Sequence, residues 1–200
     1  MALKIQFNKT YLHELNKGLK IRLLALPILK AKEAALRIEV KRATNLARQI
    51  QKDIQDAQDL IKPFLKLWAE FPQYLGIQKA HLSVRKIAGI KTPVLDHIDF
   101  HETPHSYVLT QAWIPRGLDI LKNLVKLHIE RDVAVKKSKI LEHARKKTTQ
   151  KVNLYEKVQI PEYQEGIRKI KRYLEDDENL SKSSQKILKS RLQAEEDKAA

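Results

Sequence analysis

The chain has 200 residues and carries 39 basic against 24 acidic side chains, a formal charge of +15. A field of that size points to an acidic or anionic neighbour but does not choose between nucleic acid, membrane surface and protein. The absence of cysteine excludes a disulfide scaffold and a thiolate metal site and fits a cytoplasmic setting. The five glycines, set in a surplus of Leu, Ile, Lys, Ala, Glu and Gln, speak for long helices rather than a glycine-rich α/β enzyme.

From the N-terminus, apolar residues recur at alternating steps of three and four. Leu12, Leu15, Leu19, Leu26, Leu29, Leu36, Val40, Ala43, Ala47, Ile50, Ile54, Ala57, Ile61, Phe64, Trp68, Phe71 and Leu75 all fall on one stride, with Arg22 and Glu33 as its polar members. Seventeen apolar positions of nineteen, where composition alone supplies about eight, identify a helical seam of about nine heptads. A repeat of 3.5 residues kept for that length requires a partner helix and a left-handed supercoil. Pro27 and Pro63 interrupt the hydrogen-bond ladder, and because the stride keeps phase across both, each is expected to kink the helix without ending it. The apolar run Leu23 to Leu29 is far short of the ~20 residues that span a bilayer. Any membrane association is therefore expected to run through another protein.

Helix signals stop at Gly76, and from Ala80 to Pro115 β-branched and aromatic residues are punctuated by Gly89, Pro93, Pro104 and Pro115. Val94, Ile98 and Phe100, followed by Tyr107, Val108 and Leu109 with Glu102 to Ser106 between, predict a short β-hairpin that needs neighbours to be stable.

Helix formers return at Gly117, with a patchier apolar stride that becomes clean again at Ile160, Tyr163, Ile167, Ile170 and Leu174. Two helices of roughly 65 and 75 residues are each about 100 Å long at 1.5 Å per residue. The predicted fold is thus mainly all-α: a long antiparallel two-helix left-handed coiled-coil hairpin with a short central β-hairpin insert. Its parts are an N-terminal helix over 1–75, the insert over 76–116 and a C-terminal helix over 117–200. Folding back at the middle of the insert makes paired residue numbers sum to about 193, with Leu19 near Leu174 and Leu36 near Val158.

The chain holds no GxxxxGK[ST] loop and no GxGxxG, so no nucleotide or other cofactor is expected to bind. His97, His101 and His105 recur at a spacing that aligns imidazoles on a helix, but Pro104 and the hairpin texture oppose a helix there, and no metal is expected. Glu175 to Glu178 sit consecutively and point around their helix, as a solvated face does. Phe64, Trp68 and Phe71 occupy seam positions, and the clusters at Lys136, Lys137 and Arg145 to Lys147 lack interleaved aromatics, so no nucleic acid partner is expected.

Three stretches resemble one known family. The opening TYLHELNKGLKIRLLALPILKAKEAAL carries Leu26, Pro27, Leu29, Lys32 and Leu36; the segment IAGIKTPVL carries Ala88, Gly89 and Pro93; and VNLYEKVQIPEYQEGIRKIKRYL carries Val152, Asn153, Glu156, Ile160, Pro161, Ile167, Ile170 and Leu174. In this order they resemble the D subunits of the V/A-type rotary ATPases over nearly the whole chain. Gln150 and Lys151 replace the basic pair usual before Val-Asn, and Asp176 to Ser184 follows a pattern of a bacterial branch, which weakens transfer of contacts at the C-terminal tip.

The resemblance implies a non-catalytic central rotor stalk, a component of the machinery of ATP synthesis and of proton or sodium ion transport. Its expected partners are the hexamer of A and B subunits, the small F subunit and the connecting subunit on the membrane ring, and its expected place is cytoplasmic and peripheral to the membrane. The residues expected to form its seam are Leu19, Leu26, Leu29, Leu36, Val40, Ile50, Ile54, Ile61, Phe64, Trp68, Ile160, Ile167, Ile170 and Leu174, and those expected to meet the A/B ring are Arg168, Lys169, Lys171, Arg172, Lys182, Lys186, Lys189 and Arg191. The competing reading is a coiled-coil adaptor or scaffold, which accounts for the seam but not for three ordered signatures.

Overall fold

The structure, a computed structural model, describes residues 5–103 and 111–199. It contains long helices on either side of a two-stranded antiparallel hairpin. The backbone divides into two compact units, residues 1–31 with 149–200 and residues 32–148.

Asn8 opens the first helix, α1 (Lys9–Ile61), where its Oδ1 accepts a hydrogen bond from the Tyr11 N–H at 2.6 Å. This satisfies one of the donors that every helix start leaves without a partner. Pro27 lies inside α1 without ending it, flanked by half-buried Leu26 and Leu29. Pro63 behaves differently and corrects the expectation of a mere kink. The α-helix stops at Ile61, a 3₁₀ turn takes Lys62–Phe64, and a short helix, α2 (Leu65–Ala69), follows. Every side chain from Lys62 to Lys66 is exposed, so no packing holds the chain in α geometry against the lost N–H and the crowding of the proline ring.

The hairpin pairs β1 (Leu75–Ile87) with β2 (Ile90–Glu102) through a two-residue turn, Ala88–Gly89, with φ of 48° and 80°. Positive φ at both central residues is the signature of the type I′ turn, whose twist matches that of the strands. The strand holding Val94, Ile98 and Phe100 therefore folds back onto earlier residues, with Ser83, Ala80 and Ile77 as their respective partners. The structure thus places a hairpin turn at Ala88–Gly89 that was not expected; most of the expected turn at Glu102 to Ser106, and its partners Tyr107, Val108 and Leu109, lie outside the described residues.

Within the second unit the hairpin rests on the helices. Ile87 and Ile90, beside the turn, pack against a core of Leu36, Ala43 and Leu141. Thr92 is fully buried, and its hydroxyl donates to the Arg85 carbonyl at 3.0 Å. At the opposite end Lys122 reaches Glu102 at 2.6 Å. These contacts supply the neighbours without which a two-stranded ribbon is marginal in water.

Helix α3 (Ile114–Leu154) continues through one π turn, Tyr155–Gln159, into α4 (Ile160–Ala199). The π turn is marked by the Ile160 N–H donating to the Tyr155 carbonyl, and it lies immediately before Pro161. That proline has no N–H to give the carbonyl four residues back and crowds it, and an extra residue in the preceding turn relieves the conflict.

The helices pair antiparallel, but in a different register from the expected one. Thr44 meets Ser138, Gln51 meets Arg131 and, in the other unit, Arg22 meets Gln159, so paired numbers sum to about 182 rather than 193. Leu36 accordingly packs with Leu141, not Val158. The cause lies at the hairpin: helix ends at Ala69 and begins again at Ile114, whereas the expected register assumed helix to Leu75 and again from Gly117.

Candidate functional site

In the first unit Leu15, Ile167 and Ile170 form the core, with Leu12, Leu19, Tyr163 and Leu174 packed against it. Ile160 and Val152 are also buried, and Leu26 and Leu29 are half-buried. Each such apolar side chain withdrawn from water contributes about 1.5–3 kcal/mol when burial is complete. Arg22 takes a stride position among them because its charged head finds partners there. Its guanidinium stacks over Tyr163, donates to Gln159 Oε1 at 2.8 Å and reaches the Gly18 carbonyl at 3.0 Å. Beside it, Lys30 and Glu156 form a cross-helix ion pair at 2.6 Å.

The basic residues of α4 lie on its outer surface. Arg168, Lys169, Lys171 and Arg172 line a shallow groove together with Gln164 and Glu175. Lys182, Lys186, Lys189 and Arg191 lie farther along, where every side chain from Glu175 to Gln193 is exposed. Among the described residues, two of these cations pair along the helix: Lys169 with Glu165 at 2.9 Å and Lys182 with Glu178 at 2.8 Å. Hydrogen bonds from these lysines hold both carboxyl groups below the usual glutamate range. This same stretch exposes Leu180, Ile187, Leu188 and Leu192. A bare helix of this kind is marginal in water, and it leaves these apolar side chains on the surface beside the lysines.

In the second unit Leu36, Ile50 and Ile54 are buried, while Val40, Ile61 and Trp68 are half-buried. Phe64 departs from the seam and is 56% exposed, as the 3₁₀ turn at Pro63 swings it off the stride. Glu33, the other polar member of the stride, is only 13% exposed at its side chain and is met by Arg37 at 2.9 Å and Arg145 at 3.9 Å. Where α2 approaches the start of α3, Trp68, Phe71 and Trp113 form a ring cluster with centroids 5.3 to 6.0 Å apart. Trp68 and Trp113, with Leu60, Phe64 and Leu67, line a predominantly apolar groove of about 510 Å³.

The hairpin adds a group that sequence spacing did not suggest. His97 stands with His81 on the opposite strand and Asp99 on its own rather than with His101; His105 lies outside the described residues. The missed residues were Asp99, two positions along the same strand, and His81, whose proximity depends on the turn at Ala88–Gly89. No helix among the described residues is long and apolar enough to cross a membrane.

Comparison with known proteins adds a family. Residues 11–190 match the family of ATP synthase D subunits. Relatives of similar length are described as D subunits of V-type ATP synthase. The protein of Borreliella burgdorferi is 29% identical, covering 94% of this chain and 95% of its own. That of Chlamydia caviae is 30% identical over 84% of each, and that of Chlamydia trachomatis is 26% identical over 96% and 98%.

Proposed function

The chain belongs to the family of ATP synthase D subunits, and from that membership we propose that it is the central rotor shaft of a V/A-type rotary ATPase. In this reading it carries torque between the catalytic hexamer of A and B subunits and the ion-translocating rotor in the membrane, and it performs no catalysis itself. Its further partners are the small F subunit and the connecting subunit on the membrane ring, and it sits on the cytoplasmic side without entering the bilayer.

The observation that carries the proposal is the far part of α4, exposed from Glu175 to Gln193, where an acidic run, Glu175 to Glu178, gives way to apolar side chains interleaved with Lys182, Lys186, Lys189 and Arg191. Such a helix gains most by entering a surrounding protein, where the leucines are buried and the lysines meet acidic or carbonyl groups. Arg168, Lys169, Lys171 and Arg172 extend the same basic surface toward the packed part of α4. A hexamer that stabilises different conformations of its members against different rotor faces links nucleotide state to rotor angle, and by reciprocity rotor angle to nucleotide state. Interdigitated packing and cross-helix pairs such as Lys30 with Glu156 resist sliding of one helix along the other, as a shaft requires.

The test replaces Arg168, Arg172 and Lys189 together by glutamine in the assembled complex. All three side chains are exposed, so folding is preserved. The expected result is weakened assembly with the A/B hexamer or ATP hydrolysis uncoupled from ion transport; unchanged assembly and coupling would reject the assigned contact surface. Co-purification of the wild-type chain with A, B and F subunits separates a rotor shaft from a free-standing adaptor, which brings none of them.

A further inference from the structure

We propose that His81, His97 and Asp99 form a binding site for a divalent transition-metal ion of the zinc class on one face of the hairpin. The site is independent of the rotor role and rests on cross-strand geometry. His81 lies directly opposite His97 in the ladder, and Asp99 follows His97 by two residues. Cross-strand partners and residues two apart on one strand share a face. The ligand atoms of all three side chains fall within 4.8 Å of one another.

Both imidazoles turn the same nitrogen toward one carboxylate. His81 Nε2 lies 2.8 Å from Asp99 Oδ2, and His97 Nε2 lies 3.8 Å from Asp99 Oδ1. The rings stack with centroids 4.2 Å apart and planes inclined by 11°, so the two nitrogens lie side by side, and rotation of a ring is needed to turn both lone pairs onto one ion. Ligands at about 2.0–2.2 Å from a tetrahedral zinc ion lie about 3.3–3.5 Å from each other, and the three ligand atoms here, all within 4.8 Å of one another, are close enough for side-chain rotation to reach that spacing. In the proposed site the side chains rotate to bring all three ligands onto one ion and leave the fourth position to water. Two imidazoles and one carboxylate favour zinc, cobalt, nickel or copper over magnesium and calcium, which take oxygen ligands.

The surrounding backbone explains why these groups converge. The ladder is irregular between Ile77 and Lys79 and again between His81 and Leu82, leaving a short regular stretch that holds all three ligands. Bulges of this kind re-aim side chains and weaken local pairing. An ion held by both strands would tie them together between the two irregularities.

Isothermal titration of zinc chloride into the full-length, untagged chain tests the site, together with the absorbance of bound cobalt and the imidazole signals of the wild-type protein by NMR. One saturable site is expected, with a cobalt spectrum of a four-coordinate ion and shifts confined to two histidines. His97→Gln and Asp99→Asn, both at exposed or half-exposed positions, should each weaken binding by about tenfold or more, and His101→Gln should leave it unchanged. Absence of saturable zinc binding overturns the proposal. So does binding that survives both ligand substitutions, or NMR shifts on histidines other than 81 and 97.

Discussion

The Arg22 guanidinium lies 4.2 Å from the centre of the Tyr163 ring while its Nε donates to Gln159 at 2.8 Å. A charged residue at a seam position is thereby made compatible with burial, because the ring face and the amide oxygen replace water. Gly18 completes the arrangement: a Cβ there would stand 2.7 Å from a Tyr163 ring carbon, so only glycine lets the ring lie this close to α1. A partly desolvated cation–π contact contributes up to about 2 kcal/mol and a hydrogen bond about 1 kcal/mol. Arg22→Ala is therefore expected to lower stability by about 1–3 kcal/mol. Arg22→Lys should recover little, since an ammonium lacks the planar fork that stacks and donates at once. Thermal and urea unfolding followed by circular dichroism give the measurement, and a lysine variant as stable as the wild type would contradict the stacking role.

Helix register offers a sharper test. The hydroxyls of Thr44 and Ser138 are 3.0 Å apart, so cysteines at these two positions should form a disulfide readily in a chain that has no other cysteine. A pair chosen by the register expected from sequence, Ala47→Cys with Lys146→Cys, should not, because a slip of about eleven residues displaces the partners by about 16 Å along the helix. Crosslinking of the second pair in preference to the first would overturn the observed register.

How much of this was legible beforehand can be judged at particular residues. The stride from Leu12 to Ile61 was readable because a 3.5-residue repeat is a property of the sequence itself, and along it Leu15, Leu36, Ile50 and Ile54 are buried. Arg22 and Glu33 were visible as polar members of that stride, but their partners, Tyr163 and Arg145, lie across the helix pair and depend on register. Register depended in turn on where helix gave way to strand. The long apolar pattern through Phe64 and Trp68 concealed the break at Pro63, and the prolines beyond Pro93 outweighed the Ala88–Gly89 pair as turn signals. The His81, His97 and Asp99 group was hidden for the same reason, as strand pairing is not periodic in sequence.

The ion pair between Glu142 and Arg145 predicts a defined response to pH. Arg145 donates to both carboxylate oxygens, at 2.8 and 3.2 Å, and this hydrogen bonding, with the charges of Arg145 and Lys146, holds the Glu142 carboxyl below 4.5. A carboxyl lowered in the folded state binds protons less readily there than in the unfolded chain, so its contribution to stability is complete above the unfolded value. It fades as pH falls below 4.5 and is gone once pH has passed through the lower folded value. Glu142→Gln should therefore be less stable than the wild type at pH 7, with the gap closing in acid. Paired melting curves from neutral to strongly acidic pH measure it, and a gap that widens in acid would contradict the assignment.

The turn at Ala88–Gly89 sets two opposing terms against each other. Ala88 holds a φ of 48°, a left-handed conformation that costs an L-residue with a Cβ about 1–2 kcal/mol. Glycine removes that strain but adds about 0.5–1 kcal/mol of backbone freedom to the unfolded chain. Asparagine tolerates the same conformation while keeping a side chain, and Asn-Gly is the preferred pair for a type I′ turn. The expected order of hairpin stability is Ala88→Asn, then Ala88→Gly, then wild type, with the asparagine variant gaining about 0.5–1 kcal/mol. Gly89→Ala should lose about 1 kcal/mol or more for backbone reasons alone, since the nearest atom to an added Cβ, Lys32 Nζ, stands 3.9 Å away. Amide hydrogen exchange along β1 and β2 reads these changes residue by residue. Slower exchange in the asparagine variant and faster exchange in the alanine variant at 89 are expected. The reverse order would mean that the strands turn elsewhere, and His81 would then lose its place opposite His97.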